Sequence, residues 1–205
     1  MGIITLFIVS FTIALSGALA PGPLLATVIA QSFRHGAKTA PLIMLGHAAL
    51  EAVLMGLIVL GIAPLVSSAA VMRAIALAGA LVLCYFGIRL LVSVPRLRMD
   101  TESSPATASH LVLMGITVSL SNPYWTVWWL TIGLSLVLAA KQQGWLAIII
   151  FFLGHVSADF GWYGIVSVGI SRGRKSFSDK TYRAAIAACA VALIGFALYF
   201  ALRAF

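Results

Sequence analysis

Apolar residues dominate the chain in long windows that charged residues interrupt only at their ends. Six such windows contain no charge or a single acidic residue, and they cover residues 1–33, 39–72, 74–88, 103–140, 142–171 and 184–202. The hydrocarbon core of a bilayer requires about 20 mostly apolar residues per helix. The short third window is flanked by Arg73 and Arg89, whose side chains can extend to the membrane surface. The pattern therefore predicts an all-α integral membrane protein with six transmembrane helices.

Composition supports this prediction and excludes most soluble classes of protein. Of the 205 residues, 62% are hydrophobic and 9% are charged, whereas soluble domains have roughly 25% charged residues. The six windows leave no length for a soluble catalytic domain, so we expect neither an enzyme nor a bound cofactor. Cys84 and Cys189 stand alone in apolar sequence, and we interpret both as small buried hydrophobic residues.

The positions of the basic residues predict the orientation, because positively charged loops resist translocation. Lys and Arg total 13, against five Asp and Glu. Ten basic residues follow the first, third and fifth windows: Arg34, Lys38, Arg89, Arg96, Arg98, Arg172, Arg174, Lys175, Lys180 and Arg183. The other loops hold Arg73, Lys141 and Arg203. The first set of loops is therefore predicted to be cytoplasmic and both termini to lie outside. Topology explains the positive excess, so no nucleic-acid partner is expected.

One motif occurs twice, in the second window and in the fifth. Residues 45–51 read LGHAALE and residues 153–159 read LGHVSAD, so both have the pattern LGHxxx followed by an acid. The match continues in two pairs of glycines at the same offsets, Gly56 with Gly164 and Gly61 with Gly169. These coincidences indicate an internal repeat.

The first and fourth windows also correspond, because proline interrupts each of them, at Pro21 and Pro23 and at Pro123. A three-helix unit enters and leaves the membrane on opposite sides, so its second copy must be inverted. We predict two inverted repeats, residues 1–94 and 109–205, joined within one membrane domain by a cytoplasmic linker, residues 95–108. Inverted repeats are the architecture of alternating-access transporters, which bind their solute where the repeats meet.

The proline breaks are candidate binding positions. A proline within a helix frees a backbone carbonyl about one turn earlier, and the spacing assigns these carbonyls to Gly17, Leu19 and Ser119. Such a break offers carbonyl oxygens to a cation and amide donors to an anion, and an amino acid has both groups. The alternative is that the prolines only kink packed helices. The candidate substrate-binding residues are Pro21, Gly22, Pro23, Asn122, Pro123, Tyr124 and Trp125.

Within the windows, the acidic residues are Glu51 and Asp159. A charged carboxylate at mid-membrane costs a few kcal/mol and usually marks an ion or proton route. His47 and His155 each precede an acid by four residues, which places each pair on one helical face. We interpret the four residues as an ion-coupling or proton-coupling group. The structural alternative is that buried His–carboxylate hydrogen bonds join the helices.

The aromatic cluster after Pro123 has two open interpretations. Trp125, Trp128 and Trp129 could mark a membrane interface, as Trp usually does. They could instead form a deeper wall that holds an ammonium group or an apolar side chain. His35 and His110 fall at predicted span ends and are interpreted as surface residues.

The chain resembles the LysE-type amino-acid exporter family. The resemblance rests on the run from Ala20 to Pro23, reading APGP, on a glycine-rich second window and on Asn122-Pro123 in the fourth. It implies a bacterial or archaeal inner-membrane exporter of amino acids or related metabolites, driven by an ion gradient. The signature positions of the family correspond here to Pro21, Gly22, Pro23, Asn122 and Pro123. Tyr124 stands where many members have Lys.

Three functions remain open. The first is a secondary active transporter that exports amino acids or related metabolites by proton-coupled or ion-coupled antiport. The second is a divalent metal-ion exporter, because His47, Glu51, His155 and Asp159 would supply a tetrahedral ligand set. The third is a membrane thiol-electron carrier, which ranks last because the two cysteines do not correspond in the repeat. Expected partners are the lipid bilayer, the solute, a coupling proton or cation and, in an oligomer, further copies of the chain.

Overall fold

A computed structural model of the protein describes residues 2–20, 22–61, 69–96, 106–173 and 178–203, and all regular structure in these ranges is helical. The α-helices are α1 (Ile3–Ala18), α2 (Pro23–His35), α3 (Thr39–Val59), α4 (Ala69–Ser93), α5 (Ala108–Leu120), α6 (Pro123–Trp128), α7 (Leu134–Gln142), α8 (Trp145–Gly173) and α9 (Asp179–Arg203). A 3₁₀ turn, Val94–Arg96, follows α4. A π-helical segment, Trp129–Gly133, connects α6 to α7.

Within the described ranges, four helices are long and apolar enough to cross a membrane, and they correspond to α3, most of α4, α8 and α9. The pair α1 and α2 is bent by 77°, and α5 is bent by 67° against the helix that follows it. If each bent pair forms one span, the total is six. The chain is therefore an all-α, multi-pass membrane protein, and its first and fourth spans are broken next to proline, as the sequence predicts.

The boundary between the second and third spans differs from the prediction. The windows place it at Arg73, but α3 ends at Val59 and Arg73 lies exposed within α4. Gly61 follows the end of α3 with φ 86°, a left-handed conformation that glycine adopts readily at helix ends. Because residues 60–72 are uncharged, a window bounded by charges could not detect this helix end.

The helices pack in pairs between the two halves of the chain: α1 against α8, α3 against α5, and α4 against α9. The glycines of the two LGH motifs lie at two of these crossings. A Cβ atom added to Gly46 would overlap the carbonyl oxygen of Val112. One added to Gly154 would lie 2.6 Å from the carbonyl oxygen of Phe7. Small residues let membrane helices approach closely, so each motif includes a helix-packing position.

An apolar core fills the space between α2, α4 and α9. Cys189 is buried in this core and Cys84 is half-buried against it, where both pack as small hydrophobic residues. Large apolar side chains such as Leu81 and Ile165 point outward and are exposed. This is the expected arrangement for helices whose outer faces contact lipid.

Candidate functional site

A cavity of about 180 Å³ lies where the two broken spans meet α3, α8 and α9. A cavity of about 150 Å³ binds benzene, so a small solute fits. The predicted site residues that line it are Gly22, Pro23, His47, Glu51, Asn122, Tyr124, Trp125, His155 and Asp159. Pro21 lies outside the described residues, and Pro123 is the first residue of α6. The fold thus brings residues from both halves together around one space.

The break in the first span places the start of α2 at the cavity wall. Gly22 is extended, with φ −152° and ψ 177°, and Pro23 is the first helical residue. Proline suits this position because its missing N–H would have no partner there. Gly22, Pro23 and Leu24 line the cavity, so the positive end of the α2 dipole lies at its wall.

The break in the fourth span has the same construction. Asn122 is extended before Pro123, and its side-chain oxygen accepts a hydrogen bond from the Tyr124 N–H at 3.1 Å. The carbonyl of Asn122 accepts from the Thr126 N–H at 3.3 Å. Asn is a preferred residue at a helix N-cap, so the Asn-Pro pair restarts the helix after the break.

Two of the carbonyls assigned to the proline breaks have backbone partners. The Gly17 carbonyl accepts from the Ala20 N–H at 3.1 Å, and the Ser119 carbonyl accepts from the Asn122 N–H at 3.0 Å. The expectation that the prolines leave these oxygens without a partner is therefore wrong. Each helix tightens its last turn into an i to i+3 bond, which commonly satisfies carbonyls at helix ends.

Glu51 is at the centre of the site, with a side chain that is 1% exposed. Its Oε1 atom lies 3.0 Å from His47 Nε2 and 3.1 Å from His155 Nε2. The indole N–H groups of Trp129 and Trp125 donate to the same oxygen at 3.0 and 3.2 Å. A buried carboxylate requires such donors to replace its hydration. Oε1 has them, whereas Oε2 of Glu51 is buried and has no hydrogen-bond partner.

The two histidines differ at their second ring nitrogen. His47 Nδ1 lies 2.7 Å from the Ser119 hydroxyl, within the buried interface between α3 and α5. With Nε2–H directed at Glu51, this nitrogen accepts the serine hydroxyl proton. His155 Nδ1 is buried and has no hydrogen-bond partner. The ring of His47 is therefore held at both ends, and that of His155 at one.

Asp159 has no direct partner for its cavity oxygen. Oδ2 lies 3.6 Å from His155 Nε2 and 3.9 Å from His47 Nε2, beyond ordinary hydrogen-bond length. The atom is buried and has no hydrogen-bond partner. An orphaned buried acceptor calls for a proton, an ion or a ligand group.

The aromatic cluster forms an interior wall of the cavity. Trp128 and Trp129 are buried, and their rings lie 5.1 and 5.0 Å from the His155 ring. The π-helical segment begins at Trp129, and a Cβ atom on Gly133 would lie 2.7 Å from the Trp129 ring. Of the two interpretations of this cluster, the structure favours the inner wall. Trp145, at the exposed start of α8, has the surroundings of an interface residue.

Comparison with known proteins gives the family. The model of the LysE type translocators matches residues 15–204, which include both proline breaks and both LGH motifs. The chain belongs to the LysE type translocator family. No match was found among curated proteins or among solved structures. The protein is therefore a membrane transporter of small molecules.

The translocator has a second cavity, of about 790 Å³, which the sequence analysis did not identify. It lies around the C-terminal part of α2, the end of α4 and the start of α5. Its charged and titratable lining residues are Arg34, His35, Arg89, Arg96 and His110. His110 is exposed, as the sequence predicts for a surface residue, and His35 is half-buried; both line this space. All five fall on the predicted cytoplasmic side. The sequence pattern alone does not indicate that three separate helices bring these residues together.

Proposed function

We propose that the translocator exports amino acids or related zwitterionic metabolites across the inner membrane by proton-coupled alternating access. The observation that carries this proposal is the cavity between the broken spans. It combines an orphaned carboxylate oxygen on Asp159 with the N-terminus of α2. A carboxylate and a helix N-terminus attract opposite charges, as the two ends of an amino acid require.

Both ends of such a solute have complementary surroundings. Its ammonium group would approach Asp159 and the rings of Trp125 and Trp128, which attract cations through their faces. Its carboxylate would approach the first amides of α2, beside Gly22 and Leu24. The volume of the cavity favours small side chains.

The helix pairs support the proposed inverted repeat. Exchanging residues 1–94 with residues 109–205 turns the α1–α8 pair into the α5–α3 pair and maps the α4–α9 pair onto itself. This pseudo-symmetry is what two inverted three-helix units would produce, with the site where they meet. Most of the proposed linker lies outside the described residues.

Coupling is assigned to the four residues of the two motifs. Four side-chain nitrogens surround Oε1 of Glu51, whereas neither histidine approaches Oδ2 of Asp159 closer than 3.6 Å, so we assign proton exchange to Asp159. A proton or the ammonium group of the solute would occupy Asp159 in turn, which produces antiport. Glu51, His47 and His155 would form a hydrogen-bonded network that keeps its positions while this exchange occurs at Asp159.

Purified protein in vesicles loaded with a mixture of the twenty amino acids tests the proposal. An inward proton gradient is expected to accelerate efflux of particular amino acids, with uptake of protons measured by an internal pH dye. Asp159→Asn should abolish proton-driven efflux, and Asp179→Asn, outside the cavity at the start of α9, should not. Proton-driven efflux that persists in Glu51→Gln and Asp159→Asn would refute the coupling assignment. A vesicle system without any amino-acid efflux would refute the substrate class.

A divalent metal ion is the second candidate solute, favoured by one geometric observation. The Nε2 atoms of His47 and His155 lie 3.0 to 3.9 Å from the nearest oxygens of Glu51 and Asp159. Ligands around a tetrahedral zinc ion are about 3.3 Å apart, given bonds of about 2.0 Å. Against it, Trp125 and Trp129 already donate to Oε1 of Glu51, so an ion coordinated by this oxygen would displace both indoles.

Zinc binding distinguishes the two candidates. If zinc is the solute, micromolar zinc should raise the thermal midpoint of the wild type, and His47→Ala should remove the effect. His110→Ala, outside the central cavity, provides the control. Zinc-driven stabilisation together with zinc efflux from vesicles would replace the amino-acid proposal.

A further inference from the structure

The second cavity contains a concentration of positive charge, and the described residues that line it include no carboxylate. Arg34, Arg89 and Arg96 line it, together with the polar side chains of Gln31 and Ser93. None of the three guanidinium groups forms an ion pair with a described residue. The Nε atom of Arg34 is buried and has no hydrogen-bond partner. Unpaired arginines that share a cavity favour an oxyanion, which guanidinium groups bind with paired N–H donors.

The two cavities share their walls. On α2, Leu24 lines the central cavity, and Thr27 and Arg34 line the second. On α5, the second cavity is lined at four-residue intervals by His110, Met114 and Val118, and Asn122 continues the series into the central cavity. One face of each helix therefore leads from the basic cavity to the central site.

We propose that the second cavity is an oxyanion-binding vestibule that receives the carboxylate or phosphate group of the transported solute before it enters the central cavity. Its role as an entrance rests on the proposed export function, but its capacity to bind an oxyanion does not. The vestibule would raise the local concentration of anionic solutes at the mouth of the path. The vestibule also supplies positive charge, which the central site lacks at position 124, where this chain has Tyr124 and many family members have Lys.

Inorganic phosphate is the probe for binding. The full-length protein in nanodiscs of phosphatidylcholine is titrated with phosphate at constant ionic strength, and the thermal midpoint is followed. Phosphate is expected to stabilise the wild type. The double variant Arg34→Gln with Arg89→Gln should weaken the apparent affinity about tenfold or more, because hydrogen bonds to charged groups are lost. Arg34→Lys with Arg89→Lys, which keeps the charges, should give an intermediate affinity.

Arg73→Gln is the matched control, because Arg73 lies on α4 like Arg89 but at the opposite end of the helix and outside both cavities. Its phosphate affinity should equal that of the wild type. Equal affinities in the wild type and the glutamine double variant would overturn the proposal, and so would a wild type that phosphate does not stabilise.

A second arm identifies the source of the oxyanion. In nanodiscs that contain phosphatidylglycerol, an unchanged phosphate affinity supports a solute site. A lower affinity, seen only when Arg34 and Arg89 are present, would assign the vestibule to a lipid headgroup and overturn its role in solute capture.

The transport arm separates this proposal from the proposed function. Efflux of the amino-acid mixture from vesicles should require about tenfold more solute for half-saturation in the glutamine double variant. Unchanged saturation with normal efflux would overturn the vestibule and leave the export function intact. Arginine-dependent phosphate binding in a protein without amino-acid efflux would support the oxyanion site and refute the export function.

Discussion

Glu51 and Asp159 occupy the same position in the two LGHxxx motifs, but only Glu51 has an oxygen that four side-chain nitrogens surround. Oε1 of Glu51 lies within 3.2 Å of four side-chain nitrogens, whereas Oδ2 of Asp159 has no hydrogen-bond partner. Oε2 of Glu51 is also buried without a hydrogen-bond partner, so the two acids differ in the four nitrogens that surround Oε1. On this difference we assign structural support to Glu51 and the exchange of protons or solute to Asp159.

Neutral substitutions of the two acids should have different effects on stability, with a larger loss for Glu51→Gln than for Asp159→Asn. Glu51→Gln removes the charge that four donors surround, and loss of one member of a buried charged network costs about 3 kcal/mol. Asp159→Asn changes a carboxylate whose Oδ2 has no hydrogen-bond partner, so the free energy of unfolding should fall by about 1 kcal/mol or less. Unfolding in the same neutral detergent measures both. An Asp159 variant as unstable as the Glu51 variant would contradict this assignment.

Alanine substitutions at the glycines of the repeat should also differ in their effect on stability. Gly46→Ala and Gly154→Ala would push a methyl group against the backbone of a neighbouring helix, at an expected cost of about 1 to 3 kcal/mol. Gly56→Ala and Gly164→Ala provide matched controls, because an added Cβ meets nothing within 4 Å at either position. These controls should be neutral or stabilising, since alanine is the better helix former.

The yield of folded monodisperse protein and the thermal midpoint measure this contrast. A loss of stability at Gly56 or Gly164 as large as at Gly46 or Gly154 would show that packing at the LGH crossings is not the cause.

Much of the fold follows from local sequence. Charge-free windows predict the spans because lipid excludes charge, and the breaks follow from Pro23 and Pro123 because proline is favoured at the first position of a helix. The four-residue spacing from His47 to Glu51 places both on one face. Each of these rules acts within one or two helical turns.

The hydrogen-bond pattern of the site could not be predicted in this way, because its donors come from distant segments. Trp129 and His155 are 78 and 104 residues from Glu51 along the chain. Ser119, which bonds His47, stands in the last turn of α5. The corresponding turn of α1 has Gly17, which offers no hydroxyl to His155. The repeat therefore predicts which residues meet, but substitutions outside the motifs decide which of them are satisfied.

Ser119→Ala should expose the contribution of this hydroxyl. The substitution leaves the buried Nδ1 of His47 without its partner, at an expected cost of about 1 kcal/mol. It should also slow amino-acid efflux, because the ring that contacts Glu51 loses its second anchor. Ser157→Ala is the control, since that exposed hydroxyl bonds only the Leu153 carbonyl of its own helix. Equal efflux rates in the two variants would argue against a positioning role for Ser119.

Trp129→Phe tests whether the indole N–H or the ring area matters in the inner wall. Phenylalanine keeps an aromatic ring against His155 but removes a donor to Glu51 at 3.0 Å. The expected loss is about 1.5 to 3 kcal/mol, the range for hydrogen bonds to charged groups. Trp145→Phe, at a position that is 73% exposed, should have no effect on the thermal midpoint. If the two variants unfold at the same temperature, the indole of Trp129 contributes packing alone and its N–H does not stabilise Glu51.

A double-mutant cycle isolates the pairwise contribution. If Trp129→Phe lowers the thermal midpoint of the wild type but does not lower that of Glu51→Gln further, the two side chains act through one interaction.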